Sequence, residues 1–511
     1  MSGASVTTAP ADAELRRSIA ATLLPGFVGT TLPAWLEARL RAGLGGICLF
    51  GQNIASPEQL RALTDAIRAA NPDAVIAIDE EGGDVTRLHY ATGSPFPGNA
   101  VLGRLDDTAL TERVGRRVGE ELRRAGVTLD FAPDVDINSN PDNPVIGVRS
   151  FGASPELVAR HAAAWTRGLQ STGIAAAAKH FPGHGDTAAD SHLELPVVDV
   201  PAEVLREREL VPFRAAVEAG ARAVMTSHIL LPQLDPELPA TMSPAILGML
   251  RDDLGFDGVI VTDALDMHGA SGERGIPEAA VLALAAGCDL LCIGTENTDA
   301  QLQSIEDAIA HAVATSRLTP ARLADAAHRV HALSAPVGSA PVESAQTARD
   351  TPEDCAVSAD STVGGFDVSE AGRAWVRAHG GRTYSVVRVE TVANIAVGVA
   401  PWGPFAAAQA DPGDPAAAAF AANPVAVLTE GADRDSVLAL DPALPVLVVG
   451  KDLHRHAFAR AAIDRLRAER ENVVVVDMGW PAPDRAYADI ATFGASRLVG
   501  RALLELLGRG S

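Results

Sequence analysis

The chain has 511 residues, of which 47% are hydrophobic and 21% charged, the balance of a globular protein rather than a disordered or fibrous one. That length exceeds what one hydrophobic core serves at about 150 residues per domain, so two domains are expected. A net charge of −23 argues against a nucleic-acid partner and against an acidic membrane surface, both of which need concentrated positive charge.

The opening stretch from Met1 to Glu14 has neither a basic start nor an apolar core, and no run of about 18 apolar residues occurs anywhere, so a soluble cytoplasmic protein is expected. Four scattered cysteines, Cys48, Cys288, Cys292 and Cys355, three of them inside apolar runs, read as reduced core residues. From residue 41 onward short apolar runs alternate with amphipathic stretches. The runs at 45–50, 74–79, 127–133, 174–179, 221–227, 258–263 and 289–293 read as strands. Ser56-Pro57, Ser154-Pro155, Ser243-Pro244 and Thr319-Pro320 each set a capping hydroxyl before a proline at the first helical position. Alternation of this kind gives parallel strands, and seven or eight units within about 300 residues fit a (β/α)8 barrel better than an open sheet. The eighth strand is to be sought near 195–200 or before residue 41.

The stretch Ser334 to Ser344 is rich in Pro, Gly, Ser and Ala, which is linker composition. The expected division is a barrel over 15–335, a linker over 336–355 and a smaller α/β sandwich over 356–511. In the last of these, strands are expected at 384–389, 395–399, 425–428, 444–449 and 473–476, with an alanine-rich filler helix over 416–422.

The most informative stretch is Lys179-His180-Phe181-Pro182-Gly183-His184-Gly185-Asp186-Thr187-Ala188-Ala189-Asp190-Ser191-His192, which follows the apolar run 174–178. Further polar residues recur where strands should end: Asp79 with Glu80 and Glu81, Asp134 and Asp136, His228, and Asp263. One strand-end aspartate is ordinarily a helix cap. Five strands agreeing is different, because in a barrel these ends converge on one face around a single pocket.

With these residues in view, the chain resembles glycoside hydrolase family 3, in its bacterial β-N-acetylhexosaminidase branch, which is associated with peptidoglycan turnover. The resemblance covers about residues 15 to 335. It is carried by Leu44-Gly45-Gly46-Ile47-Cys48-Leu49-Phe50, Ile78-Asp79-Glu80-Glu81-Gly82-Gly83, Phe131-Ala132-Pro133-Asp134-Val135-Asp136, the run from Asn140 to Gly152, the run from Lys179 to His192, and Gly258-Val259-Ile260-Val261-Thr262-Asp263-Ala264-Leu265-Asp266-Met267. The resemblance implies that Asp263 is the nucleophile of a retaining enzyme. It implies that His192, oriented by Asp190, is the general acid/base, and that Asp79, Arg149, Lys179, His180 and His228 bind the sugar. No cofactor and no metal are implied. The partner implied is a small carbohydrate.

Each role agrees with the chemistry of its residue. Asp263 ends an apolar run and can stand at a pocket floor to attack an anomeric carbon. Asp190 and His192 are two apart, so on an extended loop their side chains share a side and the carboxylate can fix the imidazole tautomer. Asp79 can accept hydroxyl hydrogen bonds, while Arg149 and Lys179 donate them. The structural alternative for Arg149 is an ion pair with an aspartate such as Asp142, and for Lys179 an ion pair inside the barrel. Three positions depart from the family's pattern: Glu80 where glutamine is common, Asp84 where arginine is common, and Val148 where a polar residue is frequent.

A neutral imidazole repels neither the nucleophile nor an anionic co-substrate, so a phosphorylase of the same chemistry is an alternative, as is a broader β-glucosidase. A metal-dependent barrel hydrolase would draw on His180, His184, Asp186, Asp190, His192 and His228. Pro182 and Gly183 interrupt any helical His-x-x-x-His pair, which argues against it. A non-catalytic sugar-binding protein on the same fold is the third reading, against which Asp263, Asp190 and His192 stand together. The second domain is expected to be structural, to shape the pocket rim, or to make a homodimer contact.

Overall fold

The computed structural model describes residues 8–191, 193–334, 357–431 and 440–509. Among them, residues up to Glu80, Thr111–Ile137 and the stretch from Val158 to Ser334 form one compact unit, while Glu81–Leu110, Asn138–Leu157 and residues 357–509 form a second. The linker expected over 336–355 lies outside the described residues, as does Cys355. No described helix is long and apolar enough to cross a membrane.

The first unit is an eight-stranded parallel barrel: β1 (Leu23–Pro25), β2 (Gly46–Leu49), β3 (Val75–Ile78), β4 (Leu129–Asp130), β5 (Ala175–Phe181), β6 (Ala223–Thr226), β7 (Val259–Val261) and β8 (Leu291–Gly294). β2 to β7 form a continuous parallel ladder in chain order, and β1 pairs with β8 through Leu23↔Leu291 and Leu24↔Cys292. A bridge between Val261 and Leu290 joins β7 to the approach of β8, and Gly45 N–H donates to Ala20 C=O at 2.9 Å between the approaches of β2 and β1. The eighth strand is therefore the one before residue 41. At 195–200 there is an isolated bridge, Val197↔Leu230, and no strand.

Side chains of alternate strand residues fill the barrel: Leu24, Cys48, Val75, Ala77, Leu129, Ala175, Ala177, Ala223, Met225, Val259, Val261 and Cys292 form one buried cluster. The two-residue period of a strand puts them on one face, and every strand contributes. The remaining strand residues face the helices, so the strands read as unbroken apolar runs. Cys48, Cys288 and Cys292 are buried free thiols.

The four expected helix starts all form. Ser56 Oγ accepts from Gln59 N–H at 3.1 Å, Ser154 Oγ from Leu157 N–H at 3.5 Å, Ser243 Oγ from Ile246 N–H at 3.4 Å and Thr319 Oγ1 from Arg322 N–H at 3.2 Å. They open the helices Pro57–Ala70, Pro155–Gln170, Pro244–Gly248 and Pro320–Ser334. Each cap contributes about 1 kcal/mol.

The second unit is built on a six-stranded sheet of order β11-β10-β12-β13-β14-β9, all parallel except β9: β9 (Asp367–Val368), β10 (Ser385–Glu390), β11 (Val425–Thr429), β12 (Val446–Gly450), β13 (Val473–Asp477) and β14 (Ile490–Ala491). Val386, Leu447, Val449, Val474 and Val476 pack on one face with the helix Arg497–Gly508, and Val387, Val389, Val446, Val448 and Val475 on the other with the helix Ala457–Glu469. Ala100 and Val101, from the segment that follows β3 in the chain, belong to the first of these cores. The expected filler helix forms over Pro415–Ala421, capped by Asp414. The strand expected at 395–399 does not form. No ladder partner lies beside it, and Ile395 and Val399 stand exposed in a loop.

Candidate active site

In the barrel unit, polar residues gather where β3 to β7 end. Asp79 follows β3, and the Lys179 ammonium, 1% exposed, stands 2.7 Å from its Oδ1. Lysine is costly to bury unless paired, so this contact accounts for its place. The pair spans 100 residues of chain. It is an ion pair inside the barrel, made to a carboxylate that is itself partly exposed.

Asp136, in the loop after β4, holds the segment His180–His184. Its Oδ2 receives the His180 ring Nδ1 at 2.7 Å, and its Oδ1 receives His180 N–H at 3.2 Å and His184 N–H at 2.7 Å. Burial raises this carboxyl, but His180 and these hydrogen bonds outweigh burial and hold it below the ordinary carboxylate range. The Lys179–His180 and Phe181–Pro182 peptides are cis.

His184 is fully enclosed. Its Nδ1 is 2.8 Å from Thr187 Oγ1 and its Nε2 is 3.0 Å from Ser191 Oγ, while Ser191 C=O accepts from Gly269 N–H at 3.2 Å. Burial pushes the imidazole down to about 4, so it is neutral at physiological pH and ties the loop through two hydroxyls. Gly183, at φ 131°, turns the chain where a Cβ would meet Glu209 Oε2 at 2.8 Å. Asp190 is partly exposed, and its C=O accepts from Leu193 N–H at 3.0 Å and Glu194 N–H at 3.1 Å. His192 itself lies outside the described residues.

Asp263 stands two residues beyond β7, partly exposed, with Ala264 N–H donating to its Oδ1 at 2.7 Å. Its strand end is rigid: Thr262 N–H donates to Leu290 C=O, and Leu265 N–H to Cys292 C=O at 2.9 Å. His228 is placed differently from a sugar ligand. It is 0% exposed, with Nδ1 at 2.9 Å from Thr241 Oγ1 and Nε2 at 3.0 Å from Ala264 C=O. Ala264 thus bonds His228 through its carbonyl and Asp263 through its N–H, which makes His228 a support of the residue that holds the carboxylate.

One ligand atom each from Asp134, Asp136 and His180 lies within 4.8 Å of the others, the one metal-competent group among the described residues. The His180–Asp136 contact within it has the length of a hydrogen bond, and its chemistry is that of an oriented imidazole.

In the second unit, Arg149 sits in a short turn, Gly147–Arg149, with its side chain 4% exposed. Its guanidinium grips Glu81 as a fork, Nη2 to Oε1 at 2.7 Å and Nε to Oε2 at 3.0 Å, and its C=O accepts from Asn99 Nδ2 at 2.7 Å. Asp142 instead faces His454 Nε2 at 3.5 Å. Glu81 stands among the strand-end polar residues of the Ile78–Gly83 motif, but the sequence pairs it with no partner. Cutting this pair leaves a buried, uncompensated guanidinium, so Glu81→Gln is expected to cost about 3–5 kcal/mol of stability. The double variant Glu81→Leu, Arg149→Met is expected to cost less than Glu81→Gln. Urea unfolding midpoints check both.

Residues 34–333 match the model of the glycosyl hydrolase family 3 N terminal domain. The chain is 40% identical over 297 residues to a beta-hexosaminidase of Alkalilimnicola ehrlichii, covering 56% of this chain and 84% of the relative. It is 37% identical over 330 residues to beta-hexosaminidase A of Pseudoalteromonas piscicida, and there it spans 55% of the relative's length. A solved glycoside hydrolase family 3 beta-N-acetylglucosaminidase from Paenibacillus sp. str. FPU-7 superposes with a TM-score of 0.83 at 31% identity, covering 97% of this chain and 96% of that one. Barrel, strand-end carboxylates and the extent of the match agree: the chain belongs to glycosyl hydrolase family 3.

Proposed function

We propose that this protein is a retaining, exo-acting β-N-acetylglucosaminidase that removes terminal N-acetyl-β-glucosaminyl groups from peptidoglycan- or chitin-derived fragments in the cytoplasm. The observation that carries the reading is Asp263: a partly exposed carboxylate at the end of β7, with the Ala264 N–H donating to its Oδ1 at 2.7 Å, the disposition of a nucleophile. The names of the beta-hexosaminidase relatives and of the Paenibacillus enzyme support the acetamido sugar.

In the first step Asp263 attacks the anomeric carbon while His192, with Asp190 on its other nitrogen, protonates the departing oxygen. The glycosidic bond breaks as the ester bond to Asp263 forms. In the second step His192, now neutral, takes a proton from water, which attacks the same carbon and releases Asp263. Two inversions give net retention. Asp79, Lys179 and His180 meet the sugar hydroxyls, with His228 supporting Ala264.

The test is turnover of 4-nitrophenyl N-acetyl-β-glucosaminide against the matching β-glucoside, in phosphate and in a phosphate-free buffer, with the first-formed anomer read by proton NMR. Expected are a preference of about 100-fold for the acetamido sugar, release of the β-anomer first, and free sugar in both buffers. Sugar 1-phosphate as the main product would make the protein a phosphorylase, and α-anomer first would end the nucleophile assignment.

A further inference from the structure

Within the barrel unit, the helix that follows β5 is irregular. It runs as Ala202–Val204, a π-helical turn over Leu205–Glu209 and a regular part over Leu210–Glu218. Such turns are rare and concentrate at functional sites. The two residues that close this one, Arg208 and Glu209, both meet the segment Gly183–Asp186.

Arg208 bridges two carboxyl groups. Its Nε donates to Glu209 Oε1 and its Nη2 to Asp186 Oδ2, each at 2.5 Å. The Arg208 and Asp186 side chains are 28% and 29% exposed, whereas that of Glu209 is 2% exposed. Glu209 Oε2 is enclosed and has no hydrogen-bond partner among the described residues. It lies against Gly183, where an added Cβ would meet Oε2 at 2.8 Å and Glu209 Cβ at 2.9 Å. The chain thus rests directly on this side chain at a position where only glycine fits.

A buried carboxyl oxygen without a donor is costly as an anion. Burial pushes Glu209 up to about 7, with the Asp136 and Asp186 carboxylates adding to the rise and Arg208 opposing it. In its neutral form Glu209 keeps its shape against Gly183 and leaves the charge of Arg208 to Asp186. The reaction steps use none of Asp186, Arg208 and Glu209, yet these side chains fix the turn on either side of His184, which in turn holds Thr187 and Ser191.

We propose that Arg208 and Glu209 are positioning residues for the acid/base step: they fix the Gly183–Asp186 turn, from which the chain runs on to Asp190. The proposal rests on the reading of Asp190 and His192 as the acid/base dyad.

The test compares kcat/KM for 4-nitrophenyl N-acetyl-β-glucosaminide with kcat/KM for N,N′-diacetylchitobiose. This parameter reports the first step, in which the sugar leaving group needs the proton and the nitrophenolate hardly does. Arg208→Met and Glu209→Ala are each expected to lower the chitobiose value by about 10- to 100-fold and to leave the nitrophenyl value within about threefold. Glu209→Gln, which keeps the shape without the charge, should stay near wild type on both. Equal losses on the two substrates, or no loss in either variant, overturn the proposal. His192→Ala is the reference: if it too is indifferent to the leaving group, the acid/base reading falls and the proposal with it, whereas dependence in His192→Ala alone overturns only the positioning role.

Melting temperature between pH 5 and pH 8 reads Glu209 separately. A carboxyl raised from 4.5 to about 7 contributes stability that is lost as pH rises through that range. The difference between Glu209→Gln and wild type should therefore move in favour of the variant by about 2 °C or more. A difference that stays constant with pH would overturn the role of Glu209.

Discussion

Asp263→Ala is expected to lower kcat for an aryl N-acetyl-β-glucosaminide by roughly 10⁴- to 10⁶-fold, since without the carboxylate no glycosyl-enzyme can form and both chemical steps disappear together. The fold should survive. Asp263 is partly exposed, Ala264 N–H donates to its carboxylate, and the strand end is held by backbone hydrogen bonds to Leu290 and Cys292 that the substitution does not touch. Melting temperature within a few degrees of wild type alongside lost turnover is therefore the expected pair of results. A fluorosugar that slows the second step more than the first should add its mass to the peptide bearing Asp263. A labelled peptide elsewhere would move the nucleophile.

His192→Ala is expected to lower kcat by about 10²- to 10⁴-fold, the range of a positioned general acid/base. The size should depend on the leaving group. A nitrophenolate leaves with little proton assistance and a sugar alkoxide needs it fully, so the loss should be small for the first and near the upper end for the second. The variant should also lose the pH dependence that the imidazole imposes. Asp190→Ala is expected to reproduce this pattern less severely, because it removes the tautomer control and leaves the imidazole in place. A uniform loss across leaving groups would reassign His192 to binding. The tethering of Ser191 by buried, neutral His184 and by Gly269 explains why the residue before His192 is fixed although the run is rich in glycine.

Much of the fold was legible because it is written in short-range patterns. Each of the seven expected barrel strands has a counterpart within a few residues, and the four Ser/Thr-Pro starts all open helices, since strand period and capping are decided by neighbours in sequence. β1 escaped because three residues give no period to read. The run at 395–399 misled because its apolar residues resemble a strand although no partner edge exists for them. Three cysteines are reduced core residues, as apolar runs require.

By itself the sequence determined the barrel, the second α/β unit and the residue types that line the strand ends, because backbone period, caps and turn residues act over a few positions. Only the tertiary structure decided which of those residues meet. Lys179 finds Asp79 across 100 residues, Arg149 takes Glu81 rather than Asp142, His228 supports Ala264 from the protein side, and the segments after β3 and β4 join the second unit. Such pairings depend on ring closure and on burial, which make an unpaired charge costly and leave each cation the partner that packing brings within reach.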